Sequence, residues 1–264
     1  MAVKDRKLPE GFDRTFSLQE KPCIGIFAPG YNGKTRLCAT AGEWATANGT
    51  TPGWLVLDRK TRQTVKAICE EMGIDPPLMN SKDFISAGDA LKLANSDAED
   101  VAKKAYTEAF DRVTDAASAL AVLDYIDPII VDSGTELWDW IGYARLGRRE
   151  GKLARYWGPS KRDWKDFFEA LKHKTVLITF WARSEFKDDK PTNKTIVDGP
   201  PMIEYTTTSL VRLRKEEKGK TDDTKYHLDL VQSIDNKALE LTDSLLTDES
   251  ITFANLMSLL KPEE

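Results

Sequence analysis

IFAPGYNGKTRL, residues 26–37, joins two unlike patterns. Before it, KPCIGIF (21–27) is a short, apolar, β-branched run that stops at Pro29-Gly30, as a buried strand does. After it, KTRLCATAGEWATA (34–47) is rich in alanine and carries no proline, so a helix is expected there. Glycines at 30 and 33 and the pair Lys34-Thr35 fall in the turn between them.

Residues 28–35 fit the P-loop pattern, with Ala28 where the first glycine usually stands. Glycines at these places let backbone N–H groups converge on phosphate oxygens. Ala28, Pro29, Gly30, Tyr31, Asn32, Gly33, Lys34, Thr35 and Arg36 are therefore the expected nucleotide-binding set. Lys34 is expected to reach the β- and γ-phosphates and to act in catalysis, and the Thr35 hydroxyl to ligate Mg²⁺.

A magnesium site of this kind needs a further carboxylate, and PIIVDSGTELW (128–138) offers one. Four apolar residues lead to Asp132 at the C-terminal end of a strand, where ligands gather in open α/β sheets. The alternative reading of Asp132 is the N-cap of the helix that follows, and one residue could do both jobs. Glu136, one turn on, is a candidate for polarising water and also fits a plain helix-start carboxylate.

The remaining pattern alternates. GWLVLD (53–58), DPIIVDS (127–133) and KTVLITFWARS (174–184) read as strands. Helices are expected over 62–72, closed by Gly73, over about 96–123, and over 136–150 and 162–172. Residues 185–201 read as a polar loop, 207–231 as two strands around a charged turn, and ITFANLMSLL (251–260) as a closing helix. The expected fold class is α/β, a P-loop NTPase with a mostly parallel central sheet flanked by helices and a C-terminal antiparallel hairpin. Residues 1–20 read as an N-terminal extension, and 21–264 as one domain.

Composition bounds the partners. The 264 residues are 41% hydrophobic and 31% charged, with a net charge of -5, so a polyanion could meet only a local patch. Cys23, Cys38 and Cys69 make no metal or disulfide pattern and read as reduced, mostly buried thiols. No apolar leader or membrane-length run is present, and a soluble cytoplasmic protein is expected, in the host cytoplasm if phage-encoded.

The local patch lies between 145 and 165, where eight cations meet only Glu150 and Asp163. Arg148, Arg149, Lys152, Arg155, Lys161 and Arg162 are interleaved with Trp157 and other aromatics, the combination that single-stranded nucleic acid requires. A solvated helix face with its aromatics turned inward explains the same residues, since Trp164, Phe167, Phe168 and Leu171 have helical core spacing. Arg183 and Lys187 are a second basic candidate, in a segment that composition alone reads as an ordinary loop. His173 and His227 read as surface residues.

In this order, the P-loop, WLVLD, VKAICEEMGID, IIVDS, the basic connector, VLITFWARS, the polar segment and YTTTSLVRLRK resemble the RecA-family recombinase core over about residues 20–235. The likeness is nearest to the compact phage RecA-like ATPases of the Sak single-strand-annealing group. It implies ATP and Mg²⁺, and single-stranded DNA bound by the connectors that follow Asp132 and Arg183. It also implies self-assembly into a ring or filament with nucleotide between subunits, and a single-strand-binding protein as a further partner. Two departures stand out. Lys60 occupies the place of the family's water-activating acid, and Trp181 and Arg183 stand where the family carries a Gln or Asn switch. A nucleotide-sensing accessory protein with weak hydrolysis, or a small-molecule phosphotransferase, would use the same P-loop.

Overall fold

A computed structural model describes residues 21–30, 32–57, 59–85, 99–147, 157–187, 190–217, 224–233 and 244–260. The N-terminal extension expected over 1–20 lies outside them. Strand β1 (Cys23–Ala28) leads into α1 (Lys34–Ala39) and α2 (Ala41–Ala47), with only Thr40, itself in a helical conformation, between the two helices. Then come β2 (Thr51–Val56), α3 (Arg59–Met72), β3 (Leu78–Met79), α4 (Glu99–Ala121) and β4 (Ile126–Asp132). The chain continues through α5 (Gly134–Leu146), α6 (Gly158–Glu169), β5 (Val176–Lys187), β6 (Lys190–Asp198) and α7 (Ile203–Thr206). It ends with β7 (Ser209–Glu217), β8 (Thr224–Ser233), β9 (Leu246–Thr247), a 3₁₀ turn (Asp248–Ser250) and α8 (Phe253–Leu259).

The strands form one nine-stranded sheet, in the order β3-β2-β4-β5-β1-β7-β8-β9, with β6 paired to β5 outside that path. From β3 to β7 all neighbours are parallel. The pairs β5–β6, β7–β8 and β8–β9 are antiparallel. The fold is thus α/β with a mostly parallel central sheet flanked by helices and an antiparallel hairpin.

Parallel strands covered on both faces read as continuous apolar runs, and the period of two then divides each run between two cores. In β1, Ile24, Ile26 and Ala28 join Leu37, Val65 and Phe253 under α1, α3 and α8, while Phe27 faces the other way. In β4 and β5, Ile129, Val131, Ile178 and Phe180 pack with Val113, Leu137 and Trp164 under α4, α5 and α6. Burying each such Ile, Leu or Phe contributes about 1.5–3 kcal/mol. Gly134 opens α5 where an added Cβ would lie 2.6 Å from Ile178, so that helix start sits directly on the sheet.

Gly73, at φ 66°, ends α3 as expected. Two expectations are corrected. Strand β2 begins at Thr51, not Gly53, because Thr51 pairs with Ile126 through a register shift. Residues 185–187 and 190–198 are not a loop: β5 runs on to Lys187, and β6 returns antiparallel to it from Lys190. Thr192, Thr195, Ile196 and Val197 supply the β-branched residues for that return, and Glu185 meets Lys194 across the pair at 3.5 Å.

The β7–β8 hairpin is fixed by a buried carboxylate. Arg212 and Arg214 donate to Asp229 at 2.8–3.2 Å, and the Ser244 N–H donates to it at 2.8 Å. Burial alone would push the Asp229 carboxyl up, but Ser244, Arg212 and Arg214 outweigh it and hold the group below the usual range. His173 is exposed, whereas His227 is half-buried and bonded at both ring nitrogens, to Ser244 and Glu216, each at 3.0 Å. Cys38 and Cys69 are buried and Cys23 is half-buried, and all three are free thiols. Burial pushes Cys23 up to about 12 and Cys38 well above the ordinary thiol value. Among the described residues no helix is long and apolar enough to cross a membrane.

Candidate functional site

The C-terminal edge of the parallel strands brings four segments together: the loop after β1, the end of β4, and the middles of β5 and β7. The loop turns sharply into α1 at Gly33, whose φ of 84° favours glycine and whose added Cβ would stand 3.4 Å from Leu213. A Cβ on Gly30 would stand 3.3 Å from the Trp181 ring. The Gly33 carbonyl accepts from the Leu37 N–H at 2.9 Å and starts the helix. Tyr31 lies outside the described residues.

Lys34 points back over this loop. Its Nζ donates to the carbonyls of Ala28 at 2.9 Å and Pro29 at 3.2 Å, and stands 5.3 Å from the centre of the Trp181 ring. Burial pushes the Lys34 ammonium below its ordinary pKa, and the Asp132 carboxylate opposes that shift. Arg36 is exposed and pairs with Glu71 at 3.0 Å. Asn32 is half-buried.

Asp132 is 6% exposed. Thr35 Oγ1 donates to its Oδ2 at 3.3 Å across 97 residues of sequence, and Thr179 Oγ1 donates to its Oδ1 at 2.5 Å. Asp132 is not the helix cap. Ser133 is the N-cap of α5, accepting from the Glu136 N–H at 3.3 Å, and its hydroxyl donates back to the Glu136 carboxylate at 3.3 Å. The Ser133–Glu136 pair thus takes up the cap of α5 and leaves Asp132 to face Thr35 from the strand end.

The donor set here is a threonine hydroxyl and one carboxylate. Among the described residues no group of three or more His, Cys, Asp or Glu side chains could cage a metal by itself. This set fits Mg²⁺, which keeps several waters and takes the rest of its oxygens from one or two carboxylates and substrate phosphates. Thr179 extends the oxygen cluster. Its signal in the sequence was a hydroxyl inside the apolar run VLITFW.

The same edge is tied to the β5–β6 hairpin through Thr135. Its hydroxyl donates to the Asp198 carbonyl at 2.5 Å and accepts from the Trp181 N–H at 2.9 Å, bonding the first turn of α5 to both strands. Trp181 is 48% exposed. Arg183 is exposed and lies 3.6 Å from Asp198 in an ion pair, and Lys187 is exposed where β5 turns into β6. The hairpin therefore presents Arg183, Lys187, Lys190 and Lys194 beside the loop, with Glu185 and Asp198 among them.

The basic connector divides. Arg148, Arg149, Lys152 and Arg155 lie outside the described residues. Trp157 stacks on Trp138 with ring centres 5.4 Å apart, so one of its faces is taken by the core. Arg145 makes two bonds to Asp163, at 2.5 and 2.9 Å. Lys161 is half-buried and Arg162 exposed on α6, while Trp164, Phe167, Phe168 and Leu171 are buried. The inward-facing aromatics and the outward cations both exist, on opposite sides of one helix.

Two clefts of similar size open on the surface. One, of about 640 Å³, lies against β3 and α3, and its Arg62 is held by Asp83 and by the Ser81 carbonyl. The other, of about 620 Å³, touches the loop at Gly33 and α1 at Arg36. Of these two, the second adjoins the Lys34–Thr35–Asp132 cluster.

No protein-family model matches the sequence, and no curated protein matches it.

Proposed function

We propose that this chain is a RecA-like P-loop ATPase that binds Mg-ATP on residues 28–36 and couples it to single-stranded DNA in recombination or annealing. The approach of Thr35 to Asp132 carries the proposal. Two residues far apart in sequence meet beside Lys34, at the strand ends where an α/β sheet binds ligands. The parallel order β2-β4-β5-β1-β7 supports it, as does a turn through Gly33 at φ 84° that leads straight into α1.

In that role Lys34 exchanges the two loop carbonyls for phosphate oxygens, and its charge offsets theirs. Thr35 and Asp132 would hold Mg²⁺, which when bound supplies neutralisation of the phosphate oxygens. Glu136, which accepts from the Ser133 hydroxyl, would orient water once it releases that bond. With Lys60 in place of the family's acid, slow turnover is expected, faster when DNA or a neighbouring subunit completes the site.

The DNA-facing elements in this proposal are the 148–162 segment and the β5–β6 hairpin. Thr135 links the second to the nucleotide edge, so a shift of Asp132 and α5 would reach Trp181 and Asp198 directly. Assembly of further copies along DNA, with nucleotide between subunits, belongs to the same proposal.

The test is anisotropy of a labelled single-stranded oligonucleotide with Mg²⁺ and ATP, ADP or no nucleotide across a salt series. ATP is expected to strengthen binding at least about tenfold. The paired change Arg183→Ala, Lys187→Ala is expected to lower the salt slope by about 0.7 for each phosphate that the protein no longer neutralises. Absence of DNA binding in every nucleotide state at low salt would contradict it, and a protein that binds ATP alone would then be a nucleotide-sensing accessory factor.

A further inference from the structure

Resting on that proposal, we infer that the cleft beside Gly33 takes the nucleoside end of the nucleotide, with the base against Tyr226 and the ribose hydroxyls at Asp248 and Glu249. The cleft has three walls. Gly33, Leu37 and Thr40 form the α1 side, Leu213 and Tyr226 the β7–β8 side, and the strap of residues 248–252 the far side. Its volume of about 620 Å³ falls in the roughly 300–1,000 Å³ range of small-molecule sites.

The walls are preformed. Asp248, with a φ of 46°, accepts from the Tyr226 N–H at 2.8 Å and fixes the strap to β8. Thr247 and Ser250 close a capping box under the strap. The Thr40 hydroxyl accepts from the Phe253 N–H at 2.8 Å and donates to the Leu37 carbonyl at 2.6 Å, which joins the strap's end to α1.

Charge fixes the direction of the ligand. Along the strand ends the order is Asp132 on β4, Trp181 on β5, the loop after β1, Leu213 on β7 and Tyr226 on β8. On the β4 side are Lys34, Thr35 and Asp132, suited to phosphates and a divalent ion. Among the described residues that line the cleft the one cation, Arg36, is paired with Glu71, while Asp248 and Glu249 are exposed carboxylates. Carboxylates repel phosphate and accept only from donors such as ribose hydroxyls. Tyr226, Leu213, Met72 and Ile251 offer the apolar surface that a base needs. The ligand class is therefore a ribonucleoside triphosphate, not bare polyphosphate.

The experiment titrates the full-length protein, with Mg²⁺, against ATP, dATP and inorganic tripolyphosphate. ATP is expected to bind at least about tenfold more tightly than tripolyphosphate, as one stacked base contributes. Tyr226→Ala should remove most of that advantage and leave tripolyphosphate binding unchanged, while Tyr226→Phe retains it. Glu249→Gln should narrow the preference for ATP over dATP. If ATP and tripolyphosphate bind equally, or if Tyr226→Ala weakens both alike, the cleft is not the nucleoside site although the loop binds phosphate. If neither ligand binds, the loop is not a nucleotide site at all.

Discussion

Lys34→Ala is expected to weaken Mg-ATP binding by about 100-fold and to leave the fold intact. The Nζ group is half-buried, donates to the Ala28 and Pro29 carbonyls, and sits over the Trp181 ring. A charge-assisted bond to a ligand is worth about 1.5–3 kcal/mol, and Lys34 would make more than one to phosphate. Pro29 is exposed, so water enters beside its carbonyl where the ammonium leaves, and little stability depends on the side chain. Calorimetric titration beside a thermal melt checks both halves. Unchanged ATP affinity would remove Lys34 from the site, and a large fall in melting temperature would make it a structural residue of the turn.

Trp164→Ala is expected to cost about 3–5 kcal/mol of folding stability, the range for truncating a large buried aromatic. Trp164 is 0% exposed, donates through Nε1 to Thr206 at 3.0 Å, and meets Trp138 edge-on with ring centres 6.0 Å apart. Phe168 and Phe180 pack on it at 4.8 and 6.2 Å. It joins α6 to α5, the sheet and α7, which places the cationic outer face of α6. Denaturant unfolding gives the number. A loss below about 1 kcal/mol with selective loss of DNA binding would mean that the aromatics of this helix serve bases and not the core.

The two outcomes bear on how far the sequence could be read. The strands β1 and β4 were legible because buried parallel strands leave unbroken apolar runs, and each run ends beside the cluster, at Ala28 or Asp132. Whether Asp132 or Ser133 caps α5 was not legible, since both residue types cap helices, and the Glu136–Ser133 pair decides it. The β5–β6 hairpin escaped because charged residues and a proline masked its β-branched return strand. Trp157 resembled a free stacking platform because its partner, Trp138, lies on another helix. The strap against Tyr226 was also hidden, because β9 has two residues and its turn three, too short for any periodicity.

The most direct test of the central claim is calorimetric titration of the wild-type protein with ATP, in Mg²⁺ and in EDTA, alongside Asp132→Asn. The wild type is expected to bind Mg-ATP at least about tenfold more tightly than ATP in EDTA, and Asp132→Asn to bind both alike, since magnesium would lose its carboxylate. No ATP binding by the wild type in either buffer would contradict the claim that the Lys34–Thr35–Asp132 cluster is a Mg-ATP site.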